Sequence, residues 1–193
     1  MFNVVELIIA FIISTVTTLL VTPLIKKLAF KLNAVDKPDE NRKMHGEARA
    51  SMGGLAIFIG AAAGFLYLQP YEAHMNAIIL GAVIMIITGM IDDIFCIKPL
   101  YKLAGQVAAA VVVVSSGLVI EKLTIPFMGA VYIDHIGIIL TILWIVAASN
   151  VINIIDGLDG LAAGVSGIGL LSILIMGIMD ARLIVVSLCI ILI

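Results

Sequence analysis

Residues 136–160 read IGIILTILWIVAASNVINIIDGLDG. From Ile136 to Val151 the run is almost wholly apolar; it then delivers an amide and two carboxylates, Asn153, Asp156 and Asp159, at spacings of three. A run of this kind reads as a membrane-crossing helix that presents polar groups where it leaves the bilayer. Carboxylates are costly at membrane depth, so acids in such a place are candidate functional groups. An acidic counterpart, Asp92-Asp93, stands earlier in the chain.

The whole chain agrees with a membrane reading. Its 193 residues are 63% hydrophobic and 12% charged, and the mean hydropathy is +1.25. A soluble domain would be roughly 45–50% apolar and about 25% charged. Apolar stretches of spanning length are Val4–Ile25, Met52–Leu68, Met75–Ile91, Leu103–Ile120, Ile136–Val151 and Leu161–Met179, and a seventh begins at Leu183. The expected fold is therefore all-α, a polytopic membrane helix bundle of six spans plus a truncated seventh, with residues 1–193 forming one transmembrane domain. The run from Leu183 to Ile193 has too few residues to span, so the chain reads as the N-terminal fragment of a longer helical domain. The first run has no basic residue before it, unlike a cleaved signal peptide.

The distribution of Lys and Arg orients the spans. The segment after the first helix carries Lys26, Lys27, Lys31, Lys37, Arg42, Lys43 and Arg49. Basic loops stay cytoplasmic. Alternation then puts Asp92–Lys102 and Asn153–Gly160 on the cytoplasmic side, the N-terminus outside, and only Lys122 and Arg182 in external loops. The expectation is a multi-pass membrane protein with both acidic groups on the cytoplasmic side. The external stretch Val119–Asp134 holds two β-rich runs around Pro126–Gly129, which predicts a small β-hairpin. Residues 31–51 read as a loop. Cys96 and Cys189 lack metal-ligand spacing and read as structural thiols.

Each polar cluster has a bland reading beside the functional one. Asp92-Asp93 lies at the C-terminal end of the third helix, where the dipole disfavours negative charge; it is either a solvated helix end or half of a cation site, with Lys98, Lys102 or a divalent ion as counter-charge. Asn153, Asp156 and Asp159 would share one face if helical, and the two acids precede the sixth helix, whose N-terminus favours them. An N-cap and a turn would explain one Asp, but not three polar groups. Four carboxylates and an amide on the cytoplasmic side form a hard, oxygen-rich set that suits Mg²⁺ shared with substrate phosphates. Arg42-Lys43-Met44-His45 and Arg49 precede Ser51-Met52-Gly53-Gly54. Basic groups beside glycines at a helix N-terminus suit phosphate oxygens, although orientation alone also demands a basic loop. His74 and His135 read as interfacial bystanders.

Three stretches together resemble the polyprenyl-phosphate N-acetylhexosamine-1-phosphate transferase family. They are Arg42-Lys43-Met44-His45 leading to Met52-Gly53-Gly54, Asp92-Asp93 with Tyr101-Lys102-Leu103 and Gln106, and Asn153 through Asp156-Gly157-Leu158-Asp159-Gly160-Leu161. The resemblance implies transfer of a sugar 1-phosphate from a UDP-N-acetylhexosamine to a polyprenyl phosphate, with release of UMP and with Mg²⁺ as cofactor. It implies catalytic roles for Asp92, Asp93, Asp156 and Asp159 and metal contacts for Asn153 and Asp156. It further implies substrate contacts for Lys43, His45, Arg49, Lys102 and Asp159.

The Arg-Lys-x-His pattern looks more like the N-acetylglucosamine branch, which starts teichoic acids and other envelope glycans. The phospho-N-acetylmuramoyl-pentapeptide branch has Gly-Thr-Pro-Thr where this chain has Ala48-Arg49-Ala50-Ser51. The implied partners are UDP-N-acetylglucosamine, the polyprenyl phosphate lipid, the membrane and a second copy in a homodimer, with no nucleic acid. The family's later Gly-Asp segment, whose Asp binds Mg²⁺, and its late His/Arg loop do not occur here, so the fragment alone is expected to be inactive. The rival class is a membrane transporter, which predicts acids buried in mid-helix.

Overall fold

A computed structural model describes residues 3–36, 49–125, 129–133, 135–156 and 160–193. Among these, the element order is α1 (Val4–Lys31), β1 (Val35–Asp36), β2 (Arg49–Ala50), α2 (Gly53–Leu68), α3 (Met75–Phe95), α4 (Pro99–Ser115), β3 (Lys122–Ile125), β4 (Gly129–Tyr132), α5 (Ile136–Ile155), α6 (Leu161–Met179) and α7 (Leu183–Leu192). Each expected apolar stretch holds a helix, although the fourth, Leu103–Ile120, is helical only as far as Ser115. Four helices, α1, α3, α5 and α6, are long and apolar enough to cross a membrane. The expectation of six spans plus a seventh is met only to that extent. With 16 and 17 residues, α2 and α4 rise about 24–26 Å, short of a hydrocarbon core of about 30 Å. Their lengths are set by terminators. Gln69 ends α2 in a left-handed conformation just before Pro70, and α4 begins with Pro99 in its first turn and ends before the positive-φ Gly117.

The chain divides into two compact units. The first comprises Met1–Tyr71, Gly89–Cys96 and Val165–Ile193. Its centre is the seam between α1 and α2. A capping box starts α1: Asn3 Oδ1 accepts from the Val5 N–H at 3.5 Å, and Glu6 Oε2 accepts from the Asn3 N–H at 2.9 Å. Pro23 lies inside α1, and the helix runs through it to Lys31, past the expected end at Ile25. Burial of Ile25 and Ala29 against Ala34, Met52 and Ala56 offsets the backbone hydrogen bond that a proline removes.

Along the seam, a Cβ on Gly60 would run into Thr18 Oγ1 and the Ser14 carbonyl, and one on Gly64 would run into Ser14 Oγ. Small residues here let two backbones approach closely, which is how helices gain packing energy in lipid. The short pair β1–β2, with Val35 opposite Ala50 and Asp36 opposite Arg49, was not expected in the 31–51 loop. Ser51 N–H donates to the Ala34 carbonyl at 3.1 Å beside it. Met90 and Ile94 of α3 pack on the same buried cluster as Met52 and Ala56.

The second unit comprises Glu72–Thr88 and Ile97–Gly164. The early part of α3 meets α4 at glycines: a Cβ on Gly81 would meet Val113, and one on Gly105 would meet the Thr88 side chain. The antiparallel pair β3–β4 joins α4 to α5 with Lys122 opposite Tyr132 and Ile125 opposite Gly129, as the β-rich runs predict. Residues 126–128 of its turn lie outside the described residues. The buried Thr141 hydroxyl donates to the Gly137 carbonyl at 2.7 Å and accepts from the Ile120 N–H at 2.9 Å, which ties the entry of α5 to the loop before β3.

Candidate active site

In the first unit, Asp92 and Asp93 occupy the last turn of α3. Both are partly buried, and each is engaged by a neighbouring group. Met90 and Ile94, on either side in sequence, pack against the cluster formed by Ile25, Ala29 and Met52 and so fix this turn of the helix. The helix ends two residues later, at Phe95. The Asp92 carbonyl accepts from the Cys96 N–H at 2.8 Å, and Cys96 has a φ of +47°. Two adjacent carboxylates at a helix C-terminus are electrostatically unfavourable unless positive charge offsets them.

In the second unit, α4 and α5 run antiparallel and meet through polar side chains. Lys102 Nζ donates to Asn153 Oδ1 at 3.0 Å. One turn deeper, Gln106 Nε2 donates to Ser149 Oγ at 3.2 Å, and Gln106 Oε1 accepts from Asn150 Nδ2 at 2.7 Å. Asn150 Nδ2 also donates to the Val146 carbonyl at 2.8 Å. The sequence singles out Lys102 and Asn153, and Gln106 through the resemblance. It does not single out Ser149 or Asn150. The signal was present: Asn150 precedes Asn153 by one turn, as Lys102 precedes Gln106, so an antiparallel pair would bring both steps together.

The expected helix boundaries shift here, with consequences for the acids. Helix α5 continues to Ile155, so Asn153 lies in its last turn rather than in a loop. Asp156 is the C-cap of α5, with ψ of 38° and its N–H donating to the Ile152 carbonyl at 3.1 Å. The expectation that Asp156 sits at the N-terminus of the sixth helix is corrected. It stands at a helix C-terminus, exposed, where the dipole disfavours its charge. The single helical face expected for Asn153, Asp156 and Asp159 ends at Ile155. Gly160 enters α6 with φ +76°, a conformation that L side chains rarely adopt.

Lys43, His45 and Asp159 lie outside the described residues. Arg49 is placed by its backbone in β2, opposite Asp36.

The donor set fits Mg²⁺ in kind. Asn153 Oδ1 and the Asp156 carboxylate are hard oxygens, and an amide oxygen has two lone pairs, of which Lys102 takes one. Among the described residues no three His, Cys, Asp or Glu side chains gather as a metal-holding group. Mg²⁺ does not require one, because it is usually held by one or two carboxylates together with water and substrate phosphates.

Comparison with known proteins adds to this geometry. The profile of a family described as glycosyl transferase family 4 matches residues 75–193, a stretch that contains Asp92, Asp93, Lys102, Asn153, Asp156 and Asp159. The chain is 42% identical over 191 residues to a Bacillus subtilis (strain 168) protein named probable undecaprenyl-phosphate N-acetylglucosaminyl 1-phosphate transferase, covering 98% of this chain and 53% of that protein. It is 33% identical over 157 residues to the decaprenyl-phosphate N-acetylglucosaminephosphotransferase of Mycolicibacterium smegmatis, covering 75% of this chain and 38% of that protein. It is 31% identical over 136 residues to the undecaprenyl-phosphate alpha-N-acetylglucosaminyl 1-phosphate transferase of Pasteurella multocida, covering 70% of this chain and 33% of that protein. The chain thus spans about half the length of the first relative and less of the other two.

Proposed function

The chain belongs to glycosyl transferase family 4, and from that membership we propose that the protein transfers N-acetylglucosamine 1-phosphate from UDP-N-acetylglucosamine to a polyprenyl phosphate in the membrane. The observation that carries the proposal is the 42% identity across 98% of the chain to a protein named for this transfer. That the three relatives above are all named as N-acetylglucosamine phosphotransferases favours this branch over the muramoyl-pentapeptide one and over a transporter. It is a membrane protein, as its four long apolar helices and these relatives support. The proposed orientation has the N-terminus outside and the reacting groups on the cytoplasmic face of the plasma membrane. The product would begin a teichoic acid or another envelope glycan.

The reaction exchanges one P–O bond for another. An oxygen of the lipid phosphate attacks the phosphorus that carries the sugar, the bond to UMP breaks, and UMP leaves with the electron pair. Positioning and charge neutralisation do most of the catalysis in phosphoryl transfer. A phosphate monoester has a second pKa of about 6, so the acceptor is mostly dianionic at neutral pH and needs orientation more than deprotonation. Asp92 and Asp93 serve that acceptor, taking any residual proton. Lys102 neutralises developing charge on the donor diphosphate while it holds Asn153. Asn153 and Asp156 would hold Mg²⁺, which supplies charge neutralisation on the diphosphate. Asp159 orients the nucleotide, and Lys43, His45 and Arg49 contact phosphate oxygens.

The test is transfer of radiolabel from UDP-N-acetylglucosamine to lipid phosphate in membranes of cells that express the protein from its own gene. Labelled lipid should form only with a divalent cation present, and UMP should be released. Membranes that make no labelled lipid from this donor, with the protein present and folded, would remove the proposal.

A further inference from the structure

The last turn of α5 carries Asn153 and leads to Asp156, yet little apolar packing holds it. Val151, Ile152, Asn153 and Ile154 are all exposed, Ile154 by 79%. The nearest polar anchor lies one turn earlier, at the half-buried Ser149 and Asn150, where both are grasped by one buried side chain of α4. That side chain is Gln106, only 3% exposed. Its carbonyl and its amino group are each used, on two successive residues of the same neighbouring helix. The next buried residues of α4, Ala109 and Ala110, are small and apolar and cannot fix a rotation about the helix axis. Gln106 also stands one turn from Lys102 on its own helix, so one amide sets the position of both partners of the Lys102–Asn153 pair.

We infer that Gln106, with Asn150 as its partner, is a positioning residue: it fixes the rotation of the exposed end of α5 and so holds Asn153 against Lys102 for the transfer. The inference rests on the proposed reaction for its functional half, while its structural half stands on the geometry alone. One residue of slippage turns a helix by about 100°, which would carry Asn153 out of reach of Lys102. A two-point hydrogen-bonded clamp resists that rotation where lipid-facing Val, Ile and Leu side chains do not.

The experiment has two readouts on Gln106→Met and Gln106→Asn, the second keeping the amide but one methylene too short to span. In the first, spin labels are placed at Leu100→Cys and Ile154→Cys, both on exposed positions, with Cys96→Ser and Cys189→Ala removing the native thiols. The distance distribution between labels should be narrow with Gln106 and broad in both variants. In the second, unlabelled variants are assayed for transfer per folded molecule. Turnover should fall about tenfold to a hundredfold, the scale of misplaced reacting groups, with the KM for lipid phosphate unchanged. Gln106→Met combined with Asn150→Ala should be no slower than the worse single variant.

An unchanged distance distribution overturns the inference, as does a broadened one with normal turnover. Losses that multiply in the double variant overturn the claim that the two residues act as one clamp. If the unsubstituted protein transfers no sugar phosphate, the proposed reaction fails, and the distance measurement still decides the clamp. Should Gln106→Met fail to fold, Gln106→Asn carries both readouts.

Discussion

The α1–α2 seam and the α4–α5 seam solve the same problem by opposite means. Lipid supplies no hydrophobic drive for helix association, so helices in it rely on close packing or on hydrogen bonds. The first seam is bare: Gly60 and Gly64 leave room for the Ser14 and Thr18 side chains, and among the described residues the buried Ser14 hydroxyl finds no partner. The second seam is stitched by Lys102, Gln106, Ser149, Asn150 and Asn153. Close packing tolerates almost any sequence that stays small, and it sets distance more than rotation. Hydrogen bonds between named side chains set rotation as well. The difference teaches that the α4–α5 seam is built for geometry and the α1–α2 seam for cohesion, and that candidate site groups sit at the end of each.

The largest effect should come from the acids themselves. Asp93→Asn should lower transfer about a hundredfold, the scale of a misplaced reacting group, without loss of folded protein; near-normal turnover at neutral pH would remove Asp93 from the mechanism. Next, Lys102→Met should reduce kcat/KM for the donor about tenfold or more, the scale of a charge-assisted hydrogen bond, and Lys102→Arg should recover part of it. An equal loss in both variants would mean that the ammonium itself is not what matters. The cohesive seam should break differently. Gly64→Val forces a branched side chain toward Ser14 and the Ala10 carbonyl and should destabilise by about 1–3 kcal/mol, as overpacking does. Thermal unfolding in detergent would register it, and activity per folded molecule should persist. If turnover fell with stability intact, the seam would be setting geometry after all.

How much of this the sequence discloses follows from what each signal depends on. The seven helices among the described residues were legible because apolar runs need no partner to be recognised. The β3–β4 hairpin was legible from its β-rich runs. The β1–β2 pair was not, since two residues per strand carry no period. Boundaries were less legible. Hydropathy ends the fifth run at Val151, but backbone hydrogen bonds carry α5 to Ile155 and turn Asp156 from an N-terminal acid into a C-cap. Polar residues near a helix end look like loop to a hydropathy reading, and only the opposing helix shows that Asn153 has a reason to stay helical. For the same reason Ser149 and Asn150 passed as unremarkable: their role exists only across the seam.

Thr141 gives the smallest and cleanest test, because it belongs to the stitched seam's own helix at the end away from Asn153. Its hydroxyl accepts from the Ile120 N–H and donates to the Gly137 carbonyl, and it is buried. Gly137 itself permits this approach, since a Cβ there would strike the Ile120 carbonyl. Thr141→Val keeps the shape and strands the half-buried Ile120 N–H, a loss of about 1 kcal/mol for a donor left without its acceptor. Thr141→Ser keeps the hydroxyl and should retain most of that stability. Both variants should transfer sugar phosphate at the normal rate per folded molecule, because the Gln106 clamp lies between Thr141 and Asn153 along α5. A turnover defect in Thr141→Val as deep as that of Gln106→Met would mean that the whole of α5 rotates as one body, and that the clamp has no special place along it.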